Sequence, residues 1–170
     1  LTTYVALLRA VNVGGTGKLS MADLKALCVE LGFGRVQTYI SSGNVIFDSG
    51  LAADSVKSRL ENRLAAHAGK AIGVVVRTAE EMKSVLEGNP FADQEPNRTY
   101  AFFLPESLAA EALHGIRGRA DEEVRLGKQE IYVYYPSGMG KSKLQIPAAK
   151  SGTARNLNTV AKLADLSSRK

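Results

Sequence analysis

Four short stretches of this sequence carry residue types that could do chemistry. The first is Arg9-Ala-Val-Asn12-Val-Gly14-Gly15-Thr16-Gly17-Lys18. Glycines let a backbone come close to an anion, and a helix starting just beyond offers free amides and a positive dipole end. It is not a P-loop: GxxxxGK(S/T) would need glycine where Asn12 stands and serine or threonine where Leu19 stands. GxGxxG does not fit either. The plain alternative is a flexible glycine loop.

The second stretch is Tyr39-Ile-Ser41-Ser42-Gly43-Asn44. Small polar residues with glycine are ordinary hairpin chemistry, and its interest is that such a turn can lie beside the end of the first strand. The third runs from Tyr134 to Leu144 and contains Gly140-Lys141-Ser142-Lys143. Tyr135 stands where a P-loop has its first glycine, so a Walker-type ATPase is not expected. A loop with two lysines and two serines still suits phosphate or nucleic acid, with a solvated loop as the alternative. The fourth is Thr153-Ala-Arg155-Asn156-Leu-Asn158-Thr159-Val160. Read as a helix start capped by Thr153, it puts Arg155 against the helix dipole, and its asparagines are mediocre helix formers. Local preference is broken there, as it often is at functional sites.

Together these give a candidate anion site of Arg9, Asn12, Lys18, Ser42, Asn44, Lys141, Ser142, Lys143, Arg155, Asn156 and Asn158. Lysine and arginine would neutralise phosphate charge; serine and asparagine would supply directional hydrogen bonds. Other chemistry is poorly represented. His67 and His114 have no cysteine or carboxylate at ligand spacing, so no metal and no cofactor is expected. Cys28 falls on an apolar helix face, no serine sits in a GxSxG context, and Glu80-Glu81 and Asp121-Glu122-Glu123 read as solvated acids. Nothing in these residues requires an enzyme. Tyr132 and Tyr134 share a strand face, where RNA-binding plaits stack bases, but the RNA recognition fingerprint is absent and packing explains them equally well.

The formal charge of +5 is unevenly spread. Residues 1–136 hold 15 basic and 16 acidic side chains, a balance of −1; residues 137–170 hold seven basic ones and only Asp165, a balance of +6. The hydrophobic share of 45% and charged share of 23% are those of a globular chain, not of a disordered tail or a collagen-like repeat. One cysteine cannot make an internal disulfide, and no apolar run approaches the roughly 20 residues of a membrane span. No signal-peptide layout is seen, and a chain starting at Leu1 is expected to have lost its initiator methionine. A cytoplasmic location is the expectation.

The elements that must position these clusters follow from periodicity. Thr3–Arg9, Arg35–Ile40, Asn44–Phe47 and Ala71–Arg77 read as strands, the middle two joined at Ser42-Gly43. Ser20 and Asp23 open a helix through Leu31; Val56, Leu60 and Leu64 mark another. The order β-α-β-β-α-β predicts a ferredoxin-like unit over 1–77, an antiparallel sheet with helices on one face. Residues 78–170 read as a second plait-like unit, α-β-α-β-β-α. Its elements are a helix opened by Thr78 and Glu81, a strand Thr99–Leu104, a short helix Ser107–Leu113, a hairpin of Glu122–Leu126 with Glu130–Tyr135, and a final helix Thr153–Leu166. An extra strand is considered near Leu144–Ile146. The fold class is therefore α+β, two ferredoxin-like units. Duplication rests on element order alone, since no repeated sequence stands out.

With these motifs in hand, the chain resembles the domain of unknown function 1697 family. The resemblance is carried by TTYVALLRAVNVGG at the start, YISSGNVIFDS, GNPF at 88–91, GKSKL and TARNLNTVAKL. It implies a mostly bacterial protein with two alpha-beta plait subdomains, and no established activity. Ala10 stands where the family commonly has glycine, and Leu157 where it has tryptophan; the second removes an aromatic from the last helix. The leading expectation is a binding protein for a phosphorylated ligand or nucleic acid, not for a membrane. Rivals are an enzyme acting on a small anionic substrate in a cleft between the units, and a structural or oligomerisation module.

Overall fold

Tyr4, Ala6 and Leu8 alternate with Val5 and Leu7 along the first strand, and all five are buried. An apolar run covered on both faces belongs at the centre of a sheet. The computed structural model of the chain describes residues 1–9, 19–105, 108 and 111–169, and there this run is β1 (Thr2–Leu8). It lies between β3 (Asn44–Ser49) and β4 (Val74–Thr78), with β2 (Gly34–Tyr39) beyond β3, in the antiparallel order β2-β3-β1-β4. Helices α1 (Met21–Glu30) and α2 (Ala53–Ala68) make the two crossovers. This is the ferredoxin-like arrangement, in which each crossover joins strands separated by one other strand.

The predicted local signals act as expected here. Ser20 caps α1, its Oγ accepting from Asp23 N at 3.0 Å. Gly69, at φ 72°, ends α2 in the left-handed conformation that only glycine adopts cheaply. Leu24, Leu27 and Cys28 of α1 and Val56, Leu60 and Leu64 of α2 recur at helical spacing and meet Tyr4, Ala6, Leu8, Val45 and Phe47. Phe33 stacks on Phe47 with centroids 4.3 Å apart. Each such fully buried side chain contributes about 1.5–3 kcal/mol, and Leu60→Ala would open the core at the contact of α2 with the sheet.

Helix α3 (Ala79–Glu87) follows β4 directly and opens with a reciprocal capping box: Glu81 N donates to Thr78 Oγ1 at 3.1 Å, and Thr78 N to Glu81 Oε1 at 2.8 Å. The second sheet holds β5 (Thr99–Phe103), β6 (Glu123–Leu126), β7 (Glu130–Tyr134) and β8 (Thr153–Asn156) in the antiparallel order β6-β7-β5-β8, and α4 (Leu157–Ser168) ends the chain. The backbone divides into two compact units, 1–82 with 163–170, and 83–162, so the divisions fall inside α3 and α4.

Several expectations for the second half are corrected. The final helix starts at Leu157, and Thr153 to Asn156 form an edge strand paired with β5. The cap is Asn156, whose Oδ1 accepts from Thr159 N at 2.9 Å. Arg155 therefore sits in a strand and not against a helix dipole, Asn156 is the cap, and Asn158 lies in the first turn of α4 in spite of its low helix propensity. Near Leu144–Ile146 the only pairing among the described residues is a single bridge between Arg117 and Gln145. Of the predicted helix Ser107–Leu113, residues 107, 109 and 110 lie outside the described residues, and 111–115 form turns.

Strand register exposes a repetition that composition and spacing hide. Val5 faces Ile46 and Arg77 on its two neighbours, as Ala101 faces Tyr132 and Arg155. Aligned so, Thr3-Tyr4 and Leu8 fall on Thr99-Tyr100 and Leu104, and Arg77-Thr78 on Arg155-Asn156. Leu8 N donates to Gly43 O as Leu104 N donates to Gln129 O, and both Thr78 and Asn156 cap the helix that follows.

Candidate functional site

In the first unit the residue before the first sequence cluster is bonded to the turn of the second. Leu8 N donates to Gly43 O at 2.8 Å and Arg9 N to Gly73 O at 2.9 Å. The end of β1 is thus pinned between the turn of the β2–β3 hairpin and the approach to β4. The Arg9 stem lies over Gly73, where an added Cβ would come 3.8 Å from Arg9 Cβ and Cδ, and Arg9 itself is exposed. Asn12 and Lys18 lie outside the described residues.

The turn beside Arg9 is held from within. Asn44 is fully buried, and its Nδ2 donates to Tyr39 O at 2.8 Å and Ser42 Oγ at 2.9 Å. Gly43 has φ 91°, which the turn can take without cost, but Ile40 has φ 50°. A β-branched residue in the left-handed region is strained by about 1–2 kcal/mol. Ile40 is also 47% exposed, so burial does not offset that cost. Such strain, held by a rigid frame, is characteristic of binding and catalytic segments.

In the second unit the candidates divide into two groups. The Lys141–Lys143 loop is tied to acids: Ser142 Oγ donates to Glu122 Oε2, and Ser137 Oγ to Asp121 Oδ2 at 2.6 Å. Glu122 is buried and also accepts from Ala120 N at 2.5 Å. The Ser142 hydroxyl, then the Ala120 amide, hold its carboxyl below the usual range. Lys141 and Lys143 are exposed. Arg155 is 6% exposed, its Nη1 donating to Thr153 Oγ1 at 2.8 Å and Ala154 O at 2.9 Å, and burial draws its guanidinium down to about 10. Asn156 is engaged in the α4 cap, and Asn158 is exposed. Glu122 adjoins β6 and Asn156 ends β8, on opposite edges of this sheet, three strand spacings or roughly 14 Å apart. The loop and the β8 group are therefore not one cluster.

Tyr132 and Tyr134 share a face, as alternation predicts, but that face is covered. The Tyr132 hydroxyl donates to Val85 O at 2.7 Å, and Tyr134 packs against Phe91 at 5.9 Å between centroids. At 2% and 8% exposure they offer no platform for stacking bases.

Sequence reasoning missed a third cluster, in the first unit. Thr3, Arg35, Gln37, Ile46, Asp48, Leu166 and Arg169 line a cleft of about 200 Å³. Its members are separated by up to 166 positions and are joined only by strand pairing and by the last helix. The available signal was Asp48, an acid directly after the apolar run Val45-Ile46-Phe47. Among the described residues no group of three or more His, Cys, Asp or Glu could hold a metal ion, and no helix is long and apolar enough to cross a membrane.

Two four-stranded antiparallel sheets, each in the ferredoxin-like strand order, define an α+β protein of two plait units. The chain belongs to the family described as protein of unknown function (DUF1697), whose sequence profile matches residues 1–132. Among solved structures it is similar to the conserved bacterial protein SP0830 from Streptococcus pneumoniae, with 26% identity and a TM-score of 0.79, over 97% of this chain and 98% of that one. No curated protein matches it.

Proposed function

We propose that the chain binds a phosphate-bearing ligand at the end of the first sheet where Arg9 leaves β1. The observation that supports this reading is the hydrogen bond to Gly43 O, in the Ser41–Asn44 turn, from the amide of Leu8, the residue before Arg9. An exposed arginine close in sequence to a residue bonded to a strained, glycine-containing turn suits an anion, to which the guanidinium supplies charge and paired N–H donors. In sequence, Arg9 is followed by Asn12, Gly14, Gly15, Gly17 and Lys18. Burial of Tyr132 and Tyr134 favours a small phosphorylated molecule over single-stranded nucleic acid, whose bases need exposed rings.

The test is calorimetric titration with pyrophosphate and a nucleoside triphosphate, and anisotropy with a labelled random oligonucleotide, between about 50 and 200 mM salt. Binding of a small phosphate probe that Arg9→Ala weakens roughly tenfold supports the reading. Tighter oligonucleotide binding with a steep salt slope moves it to nucleic acid. Absence of binding by all three probes, or binding unchanged by Arg9→Ala, removes it.

A further inference from the structure

Two loop segments of the second unit are tied together side by side. Arg117 N donates to Gln145 O at 3.0 Å and Gln145 N to Arg117 O at 2.7 Å, and Gly118 lies so close to Lys143 that an added Cβ would meet its carbonyl oxygen. Ser137 Oγ donates to Asp121 Oδ2 at 2.6 Å, and Ser142 Oγ donates to Glu122 Oε2. Residues 139–149 hold no regular element longer than the single 3-10 turns Met139–Lys141 and Pro147–Ala149. Local turns aside, their only main-chain hydrogen bonds to other described residues are the two with Arg117. Yet Leu144, Ile146 and Ala149 of this segment share an apolar cluster with Phe102, Val133 and Tyr135. An apolar layer is thus held in place largely by side chains of the neighbouring loop.

We propose that residues 137–149 form a strap across the second sheet, latched by the Glu122 carboxylate and released when that carboxyl is protonated. Glu122 is 3% exposed and lies at the middle of the tie. Besides the Ser142 hydroxyl, its carboxylate accepts from Ala120 N at 2.5 Å, and its carbonyl accepts from Arg119 Nε at 2.8 Å. A hydrogen bond to a carboxylate is roughly twice as strong as one between neutral groups, so a neutral carboxyl holds Ser142 and Ala120 less firmly. The charge of Arg119 favours the carboxylate. Lys141 and Lys143 are exposed on either side of Ser142, and Glu123 lies 3.8 Å from Arg125. Burial, then the charge of Glu122, push the Tyr135 hydroxyl up, so it stays neutral. Asp121, tied by Ser137, is the other carboxyl on the strap. Because Glu122 is held below its ordinary 4.5, the latch is fully closed above that value and is lost as pH falls through the lower one. The strap lies within the second unit and does not depend on the phosphate site proposed at Arg9.

The experiment is amide hydrogen exchange, followed by nitrogen-15 NMR, on the full chain and its Glu122→Gln and Ser142→Ala variants. At pH 7 both substitutions are expected to speed exchange of the Arg117 and Gln145 amides roughly tenfold and to leave β5 and β7 unchanged. From pH 7 to below about 4, protection of these two amides relative to β5 and β7 should drop in the unmodified chain and stay level in Glu122→Gln. Asp121→Asn should still show the drop. Exchange at Arg117 and Gln145 that neither substitution changes overturns the proposal. So does equal acceleration in β5 and β7, which marks a loss of overall stability, and so does a pH-dependent drop that survives in Glu122→Gln or vanishes in Asp121→Asn.

Discussion

Arg35 Nε lies 2.5 Å from Asp48 Oδ2, at the point where the register of β2 and β3 slips between Gly34 and Gln37. The slip puts Arg35 at φ 47°, and this turns its guanidinium across the sheet edge. Thr3 Oγ1 donates to the other carboxylate oxygen at 2.7 Å, and Arg35 Nη1 donates to Arg169 O at 3.3 Å. One aspartate therefore ties together β1, β2, β3 and, through the arginine, the end of the chain.

The pair makes the first unit acid-sensitive. The Arg35 hydrogen bond holds Asp48 below its ordinary value of 3.8, with the Thr3 hydrogen bond acting in the same direction against burial. A carboxyl depressed in the folded state stabilises it fully above the unfolded value, and that contribution is lost as pH falls through the folded one. Urea midpoints measured from pH 7 down to below about 4 should therefore drop less steeply in Asp48→Asn than in the unmodified chain. Arg35 is half exposed, so the pair is partly screened and added salt should shrink the difference. Parallel curves for the two proteins would show that the pair contributes no acid-dependent stability.

Asn156 is expected to act on stability through its cap. Its Oδ1 satisfies the Thr159 amide, one of the groups left open at a helix start. Asn156→Ala should cost about 1 kcal/mol in chemical denaturation, and Asn156→Asp should retain most of it, because aspartate caps as well as asparagine. A loss in Asn156→Asp as large as in Asn156→Ala would mean that the amide group, not the capping oxygen, is what matters there.

The capping pairs Ser20/Asp23 and Thr78/Glu81 and the long apolar runs were legible because they are local: three-residue spacings and continuous burial leave direct marks in sequence. The stretch Thr153–Asn156 was misread because its strand character comes from pairing with β5, fifty-odd positions earlier, and no local propensity records that. The repetition of Thr-Tyr and of Arg followed by a capping residue was hidden for the same reason. It becomes visible only when Val5 and Ala101 are aligned by their neighbours across the sheets. That the end of β1 can lie beside the Ser41–Asn44 turn is a property of the fold, and the bond from Leu8 N to Gly43 O has that form. Burial of Arg155 and the tether of Ser142 to Glu122 were not legible, because a polar residue looks the same in sequence whether it faces water or a buried partner.

Two glycines with the same sign of φ should respond very differently to alanine. Gly118 has φ 73°, and a Cβ there would sit 2.0 Å from Lys143 O, on backbone held by the Arg117–Gln145 bridge. Gly138 has φ 89° with nothing within 4 Å of an added Cβ. With ψ 145° it lies in a region nearly reserved for glycine, so Gly138→Ala carries only a conformational cost, about 1–3 kcal/mol. Gly118→Ala adds a clash that requires the bridge to move, for roughly 3 kcal/mol or more in all. Denaturation of both variants under one set of conditions checks the ranking, and equal losses would show that the Arg117–Gln145 bridge yields easily.

Cys28 provides a probe of how the first unit opens. It is fully buried among Leu24, Leu27 and their partners, and burial pushes its thiol up to about 12. At pH 8 the group is therefore a neutral thiol out of contact with water, and a disulfide reagent needs thiolate and access together. Labelling of the native chain should run far below the rate for free cysteine, through transient opening of the packing of α1 against the sheet. Urea below the unfolding transition should accelerate it, with a slope that reports the surface exposed in that opening. A slope equal to that of global unfolding would mean that α1 leaves the sheet only when the whole cooperative structure is lost. A shallower slope would mean that α1 detaches locally, and labelling at the free-cysteine rate would contradict the burial of Cys28.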